Sequence, residues 1–338
     1  MRASATRLLH SSIRLSDVAY PASSILVART RLAYLHIDNL ISFAKRDRDG
    51  RVDAYLLGYL PDELILLFFQ KGEVVTAAGI GADSRTVLPI QEAIRRLKSD
   101  PERGEAAYCA APTEQLQMMY HACAAPAEPW LLDSENPEQI FPRLATESFG
   151  GGLEIISNGR VNYLTFDHGR YVNSFLYARP GSEPISAYIQ TLFSRDRDGV
   201  LPALAVSGMT HAPPLPAQAL PSQVRMYREV FARIAHAMEV ETPADGVRRV
   251  DRATAGLIQT HPALASLLPA NTTDPASLAI SAGALTAALA GWAAALLGEL
   301  EIVSPGSGPR VLRETTRDHR HVLQGAGFYD QFPWSLNW

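Results

Sequence analysis

The chain has 338 residues, room for two or three domains, and 47% of them are hydrophobic against 20% charged, which excludes a disordered polypeptide and any need for covalent staples. A formal net charge of −4 excludes a chain dominated by nucleic-acid binding. Two cysteines, Cys109 and Cys123, are too few for a disulfide framework or a structural zinc site and point to a reducing compartment.

Residues 1–29 read as a leader. Arg2, Arg7 and Arg14 stand among serines with no acid before Asp17, and the longest early apolar run is Leu8-Leu9. A secretory signal needs an uninterrupted apolar stretch and a cleavage site, so an amphipathic or irregular leader is expected.

From there to residue 206 the chain repeats itself. Aligning Gly72 with Gly169 places Phe69 on Phe166, Leu67 on Leu164 and Val75 on Val172. Each copy reads as an apolar strand, a polar turn ending in glycine, and a second apolar strand. Gln70-Lys71-Gly72 and Asp167-His168-Gly169 suit hairpins, because glycine supplies the positive φ such turns require. Amphipathic helices are expected before the hairpins at 36–46 and 137–147, and after them at 87–98 and 183–194. Further strands fall at 51–58 and 104–110, and at 153–157 and 200–206. Leu64 to Phe69 is continuously apolar, the pattern of a strand buried on both faces. The expectation is an α+β fold of two tandem modules, 30–125 and 126–206, each built as helix, three strands, helix, strand.

Gly50, Phe68, Phe69, Gly72, Val74, Val75 and Ala77, continued by Ile94, Leu97 and Gly104, give the first copy a pattern that resembles the PATAN domain family. The second copy keeps Gly152, Phe166, Gly169 and Val172 but has Asn173-Ser174 where alanine is usual. The resemblance spans about residues 30–206. It implies a protein–protein interaction module of bacterial signalling and brings no catalytic residues with it.

Residues 207–221 read as a proline-rich linker, since proline at that density disfavours helix and central strand. An all-α domain is expected over 222–338. Val224, Tyr227, Val230, Phe231, Ile234 and Met238 recur at helical spacing. A second helix is expected at 246–259 and a short one from Pro262. Asp274 followed by Pro275 signals the start of a long helix reaching Leu300. No residue from Pro275 to Gly298 is charged, which raises a membrane span as an alternative. The segment is alanine-rich and lacks cationic flanks, so a buried helix is the adopted reading. Its stripe of Gly283, Ala287, Gly291 and Ala295 is expected to admit a close helix neighbour. The last helix, 309–324, leads into an aromatic tail, GFYDQFPWSLNW, expected to pack on the helices.

Most chemical motifs fail on inspection. DRDGRVD at 47–53 and RDRDG at 195–199 have acidic spacing, but aligning Gly50 to a calcium loop puts Lys45 and Leu56 at its terminal ligand positions. Gly79-Ile80-Gly81 and Gly150-Gly151-Gly152 lack the context of nucleotide fingerprints. There is no HExxH and no GxSxG, and His319 and His321 point apart on a helix. Cys109 and Cys123 read as buried hydrophobes. What remains is Arg310, Arg313, Arg317 and Arg320, which share roughly 80° of helical arc and form a candidate anion or partner contact. No catalytic residue, cofactor or metal is expected. The sequence reads as a cytoplasmic, non-enzymatic adaptor or scaffold with a protein partner, self-association and no nucleic acid. A sensor binding a phosphate-bearing molecule through the arginines is the alternative, and a membrane-associated subunit anchored by 275–298 is a third reading.

Overall fold

The computed structural model describes residues 13–46, 52–196, 198–334 and 336. Gly50 with its acidic turn and the first twelve residues of the expected leader lie outside the described residues. Two compact units divide the chain, one running to Leu215 and the other from Pro216.

The first unit is α+β and holds both copies. Its elements begin with β1 (Ser24–Arg31), α1 (Ile37–Arg46), β2 (Ala54–Tyr59), β3 (Glu63–Gln70) and β4 (Glu73–Gly81). Then come β5 (Arg85–Leu88), α2 (Ile90–Ser99), β6 (Glu105–Ala110) and α3 (Thr113–Ala124). The second copy supplies α4 (Ile140–Thr146), β7 (Gly151–Ser157), β8 (Arg160–Asp167), β9 (Arg170–Phe175), α5 (Ile185–Phe193) and β10 (Leu204–Met209). Two antiparallel sheets result, ordered β1-β6-β2-β3-β4-β5 and β10-β7-β8-β9. The shared core order, last strand beside first, second and third, is the same in both.

The duplication extends to single hydrogen bonds. Lys71 and Gly72 have φ of 50° and 79°, and His168 and Gly169 have 47° and 75°. Two successive positive φ values define a type I′ hairpin, whose twist matches that of the flanking strands. The Gly72 N–H donates to the Val52 carbonyl (3.1 Å) and the Gly169 N–H to that of Phe149 (2.7 Å), partners at the same spacing in each copy. Phe69 faces Ala54 as Phe166 faces Gly151, and each register slips beside that phenylalanine, leaving Val75 or Val172 over.

The helices lie outside and the sheets meet inside. Leu56, Ile65, Leu67 and Phe69 face α1 and α2, while Leu153, Ile155, Leu164 and Phe166 face α4 and α5. The opposite sheet faces share one core, which takes Leu57, Leu66 and Phe68 from the first sheet and Ile156, Val161 and Tyr163 from the second. Residues 30–125 and 126–206 are therefore not separate domains. Each sheet has two apolar faces, and one of them is buried only against the other copy.

Three elements fall outside the expected repeat. Residues 13–31, of which those up to 29 fall in the expected leader, form a 3₁₀ turn at Leu15–Asp17, a bridge at Ala19 and then β1. Both copies hold this strap: Val161 N–H donates to the Ala19 carbonyl (2.8 Å) and Ser23 N–H to that of Ala110 (2.9 Å). Buried side chains fasten it from below, with Tyr59 Oη on the Val18 carbonyl (3.0 Å), Tyr55 Oη on that of Tyr20 (3.1 Å) and Gln115 Nε2 on that of Pro21 (2.6 Å). The other additions, β5 and α3, belong to the first copy alone. The linker also starts later than expected, because Ser207 to Met209 complete β10 and Leu215 packs into the shared core.

The inner faces carry the largest difference between the copies. Leu57 faces Leu66 across β2 and β3, and at the equivalent places Glu154 faces Tyr163 across β7 and β8. Arg85 of β5 reaches Glu154 with Nη2 to Oε1 at 2.7 Å, both side chains buried, and Tyr163 Oη donates to Oε2 at 2.9 Å. Burial opposes charge on Arg85, but the Glu154 carboxylate more than offsets this and raises its pKa. Breaking a buried pair leaves an uncompensated charge, whereas replacing both partners with apolar groups is often neutral. Glu154→Leu is expected to lower unfolding stability by about 3–5 kcal/mol, and Arg85→Met added to it to recover all but about 1 kcal/mol. Urea titration of the two variants checks this.

The second unit is helical, with α6 (Pro221–Glu241), α7 (Gly246–Leu257), α8 (Ala282–Val303), α9 (Ser307–Thr316) and α10 (Arg320–Gly325). Trp292 of α8 is fully buried, stacks on Phe231 at 4.1 Å, and donates its indole N–H to Thr254 Oγ1 at 3.1 Å. Asp274 caps as expected, but only a 3₁₀ turn at Pro275–Ser277 follows. The chain then runs extended because Ala219 N–H takes the Ile280 carbonyl (2.8 Å) and Ala282 N–H that of Ala217 (2.8 Å). The long helix starts afresh at Ala282, capped by Ser281. Among the described residues α8 alone is long and apolar enough to cross a membrane, and more than half of its apolar window is buried within the fold. Phe328, Tyr329, Phe332 and Trp334 of the aromatic tail pack on the helical core.

Candidate functional site

The four arginines do not lie on one helix. Arg310 and Arg313 belong to α9, Arg317 opens a 3₁₀ turn, and Arg320 opens α10. The break has a local cause and a tertiary one. Thr315 and Thr316 turn their hydroxyls back onto the Val311 and Leu312 carbonyls at 2.8 and 2.6 Å, a contact that bends helices. From α6, Arg233 holds Asp318 at 2.8 Å and Glu229 holds His319 at 3.3 Å. The bond from Arg233 lowers the pKa of Asp318.

Partners divide the arginines further. Arg310 donates to Glu241 Oε1 at 2.7 Å and approaches Glu314 Oε2 at 3.4 Å, so it ties α9 to α6. Arg320 Nε lies 3.1 Å from His321 Nε2. Arg313 and Arg317 are exposed and make no ion pair among the described residues. The single anion-binding strip expected from helical spacing is thus replaced by one structural arginine, two free ones and one on a separate helix. Gly72 and Gly169 sit where expected, as turn residues. An alanine Cβ at Gly169 would come within 2.8 Å of Ala145 Cα and the Leu144 carbonyl oxygen.

The small-residue stripe also differs from expectation. Gly283 and Ala295 are exposed and Ala287 and Gly291 half-buried, so the stripe is the outward face of α8. No helix approaches it; a Cβ at Gly291 would meet only the His261 ring, 3.6 Å away. At Gly298, two turns on, a Cβ would find open space. Glycine in a helix costs about 0.8–1.0 kcal/mol relative to alanine. Gly298→Ala is expected to raise stability by roughly 0.5–1 kcal/mol, read as a higher Tm by calorimetry. A loss of stability there would mean that the face is covered after all.

No group of His, Cys, Asp and Glu among the described residues is placed to hold a metal ion. A cleft of about 400 Å³ at one end of the first sheet is lined by Asp62, Glu63, Arg96, Asp100 and Arg103. Its charges pair internally, Arg96 with Glu63 at 2.8 Å and Arg103 with Asp100 at 2.6 Å. Cys109 and Cys123 are free and buried. Burial pushes the Cys123 thiol up to about 12, against the opposing pull of Arg85. A thiolate nucleophile at neutral pH is therefore excluded there.

One feature without a signal in the residue pattern is an apolar end of the helical unit. Gly246 packs on Met238 and Glu239, which brings the start of α7 against the end of α6. Arg249 of α7 bonds Asp245 (2.8 Å) and lies 3.8 Å from Glu299 of α8. Glu301 accepts the Gly306 and Gly308 N–H groups at 2.7 and 2.9 Å, joining α8 to α9. Arg249 and Glu301 are thereby engaged within the fold. Val240, Val247, Ile302 and Val303 stay exposed among them, Ile302 to 84%. Exposed aliphatics gathered at one end, rimmed by polar groups, mark contact surfaces more often than single ones do. They escaped notice because they stand at helix termini, where periodicity carries no signal.

Compared with protein-family models, curated proteins and solved structures, the chain matches none.

The Cys123 environment makes stability depend on alkaline pH. The folded thiol titrates near 12 and the unfolded one near its ordinary 9.0. Below the lower value both states keep the proton and stability is full. Between the two only the unfolded chain releases it, so stability falls by about 1.4 kcal/mol per pH unit for this one group. Tyr59 and Tyr108, each raised by burial from 10.0 to about 12, add losses of the same sign at higher pH. Urea midpoints from about pH 8 to 11 are expected to fall earlier in wild type than in Cys123→Ala.

Proposed function

We propose that the chain is a non-enzymatic cytoplasmic adaptor or regulatory scaffold of bacterial signalling, acting through protein contacts. The observation that carries this reading is the apolar end of the helical unit, where Val240, Val247, Ile302 and Val303 stay exposed while Arg249 is engaged by Asp245 and Arg310 by Glu241. The resemblance of the tandem copies to PATAN modules supports it, since that family implies interaction without catalysis. The same reading makes the duplicated unit a rigid carrier and the helical unit its contact surface. The alternative, a sensor of phosphate-bearing molecules, has less support. Arg310 is engaged by Glu241, which leaves Arg313 and Arg317 as the only arginines of the four without a close side-chain partner among the described residues.

The test is affinity capture from cytosol of the source organism, with wild type and Val247→Asp/Ile302→Asp as baits. Both baits are expected to give the same circular dichroism and Tm. The expected result is a protein retained by wild type and weakened at least tenfold, about 1.4 kcal/mol, by the variant. Equal retention by both would overturn the assignment of this end as the contact surface.

A further inference from the structure

We infer that Asn158 is a site of spontaneous deamidation, and that its conversion unlatches the strap at Ala19 from the second copy. Of the seven asparagines in the chain, Asn158 alone is followed by glycine. Glycine matters here because no Cβ shields its main-chain nitrogen, which is then free to attack the asparagine side-chain carbonyl. The pair forms the turn between β7 and β8, with φ of 49° at Asn158 and 81° at Gly159. Two successive positive φ values again make a type I′ turn. Among the described residues the Gly159 N–H has no backbone acceptor, so the nucleophile is unengaged. Ala203 N–H donates to Asn158 Oδ1 at 2.9 Å, which draws electron density from the carbon under attack. The same bond holds the side chain, so the attack waits on a local opening of the turn. Asn158 is exposed, and exposed turns open at small cost in free energy.

The reaction needs water and no other reagent. The Gly159 nitrogen bonds to Asn158 Cγ and gives its proton to solvent. The Cγ–Nδ2 bond breaks, ammonia leaves, and a succinimide ring closes. Water then adds to one of the two imide carbonyls and breaks its bond to nitrogen. Opening at Cγ restores the main chain with aspartate at this position. Opening at the main-chain carbonyl gives isoaspartate, in which the chain runs through the former side chain. In sum an amide and water become a carboxylate and ammonium, and nothing is oxidised or reduced.

The turn has no room for the isoaspartate. The Gly159 carbonyl accepts the Ala19 N–H at 3.0 Å, and the Val161 N–H returns to the Ala19 carbonyl at 2.8 Å. The Asp17 carbonyl oxygen lies so close that a Cβ at Gly159 would stand 2.6 Å from it. An extra main-chain carbon in a two-residue loop drives Gly159 toward Asp17 and its carbonyl off Ala19. The bonds that fasten the strap to the first copy, from Tyr55, Tyr59, Gln115 and Ser23, lie elsewhere and are kept. The second copy's hold on the strap is the one that is lost. This inference concerns the duplicated unit and does not depend on the adaptor reading.

Peptide mapping of the full chain, held in warm and mildly alkaline buffer, tests it when ammonia and isoaspartate are measured together. Asn158 is expected to convert roughly tenfold faster or more than Asn162, Asn173 or Asn271, with isoaspartate among the products. Hydrogen exchange on the same samples is expected to show the Ala19 and Val161 amides losing protection in step with conversion, while the Ser23 amide keeps it. Asn158→Gly retains residues that hold a positive φ; it is expected to release no ammonia from this turn and to keep both amides protected. An Asn158 that survives, or converts no faster than the other asparagines, would overturn the site. Formation of isoaspartate with Ala19 and Val161 still protected would overturn the unlatching.

Discussion

Everything in the first unit is arranged around one buried ion pair. Arg85 and Glu154 meet at 2.7 Å between the two sheets, one from each copy of the duplicated module. Two apolar sheet faces pressed together have no strong preference for register, because dispersion and burial are non-directional. A guanidinium and a carboxylate have a strong preference, because any slip leaves both charged and unpaired in a dry interior. Tyr163 tightens the condition by donating to the second carboxylate oxygen at 2.9 Å. Burial holds its phenol protonated, with Glu154 as the next contribution, so the donor is permanent. The existence of β5 follows from the same requirement: it is the element that carries Arg85, and the second copy needs no counterpart.

The duplication is therefore conserved where each copy packs on its own helices and altered where the copies face each other. On the outer faces Leu56, Leu67 and Phe69 recur as Leu153, Leu164 and Phe166. Inward, Leu57 and Leu66 become Glu154 and Tyr163. A second divergence follows from α3. That helix covers the inner face of the first copy's hairpin, where Phe68 is fully buried and meets Tyr120 at 5.8 Å. Among the described residues no helix covers the equivalent place in the second copy, and there Thr165 stands instead.

Much of this architecture is legible in the residues, and the failures have definite causes. The hairpins could be read because glycine at a positive φ and flanking apolar runs are local signals. The strap and β1 were missed because SILVARTR alternates poorly and borrows its order from Tyr55, Tyr59 and Gln115, far away in sequence. The Asp274-Pro275 signal was chemically right, and the cap forms, but pairing of residues 217–219 with the following stretch pre-empted the helix. A small-residue stripe has two readings, close contact or bare surface, and low volume alone does not choose between them. The arginine spacing assumed an unbroken helix, and two threonines with hydroxyls free to bond backward ended it. Glu154 was the strongest overlooked clue. An acid inside the apolar strand Gly151–Ser157 needs a partner, although nothing local identifies Arg85.

The closing of the inner faces decides which surfaces are left for other chains. A sheet has two faces and two edges, and in this unit the faces are used up: helices cover one and the other copy covers the second. Only edges retain unsatisfied pairing capacity, and the fold treats them unequally. Trp130 approaches β10, while β9 leaves Tyr171 and Val172 exposed. At β1 Ile25 and Leu26 are exposed, and the ladder to β6 slips twice. Bulges and charges such as Arg29 and Arg31 are features that keep an edge strand from pairing with another chain. The outward face of α8 poses no comparable hazard. Glycine and alanine offer little area, and a helix has no unpaired backbone along its length, so that surface stays exposed without inviting association.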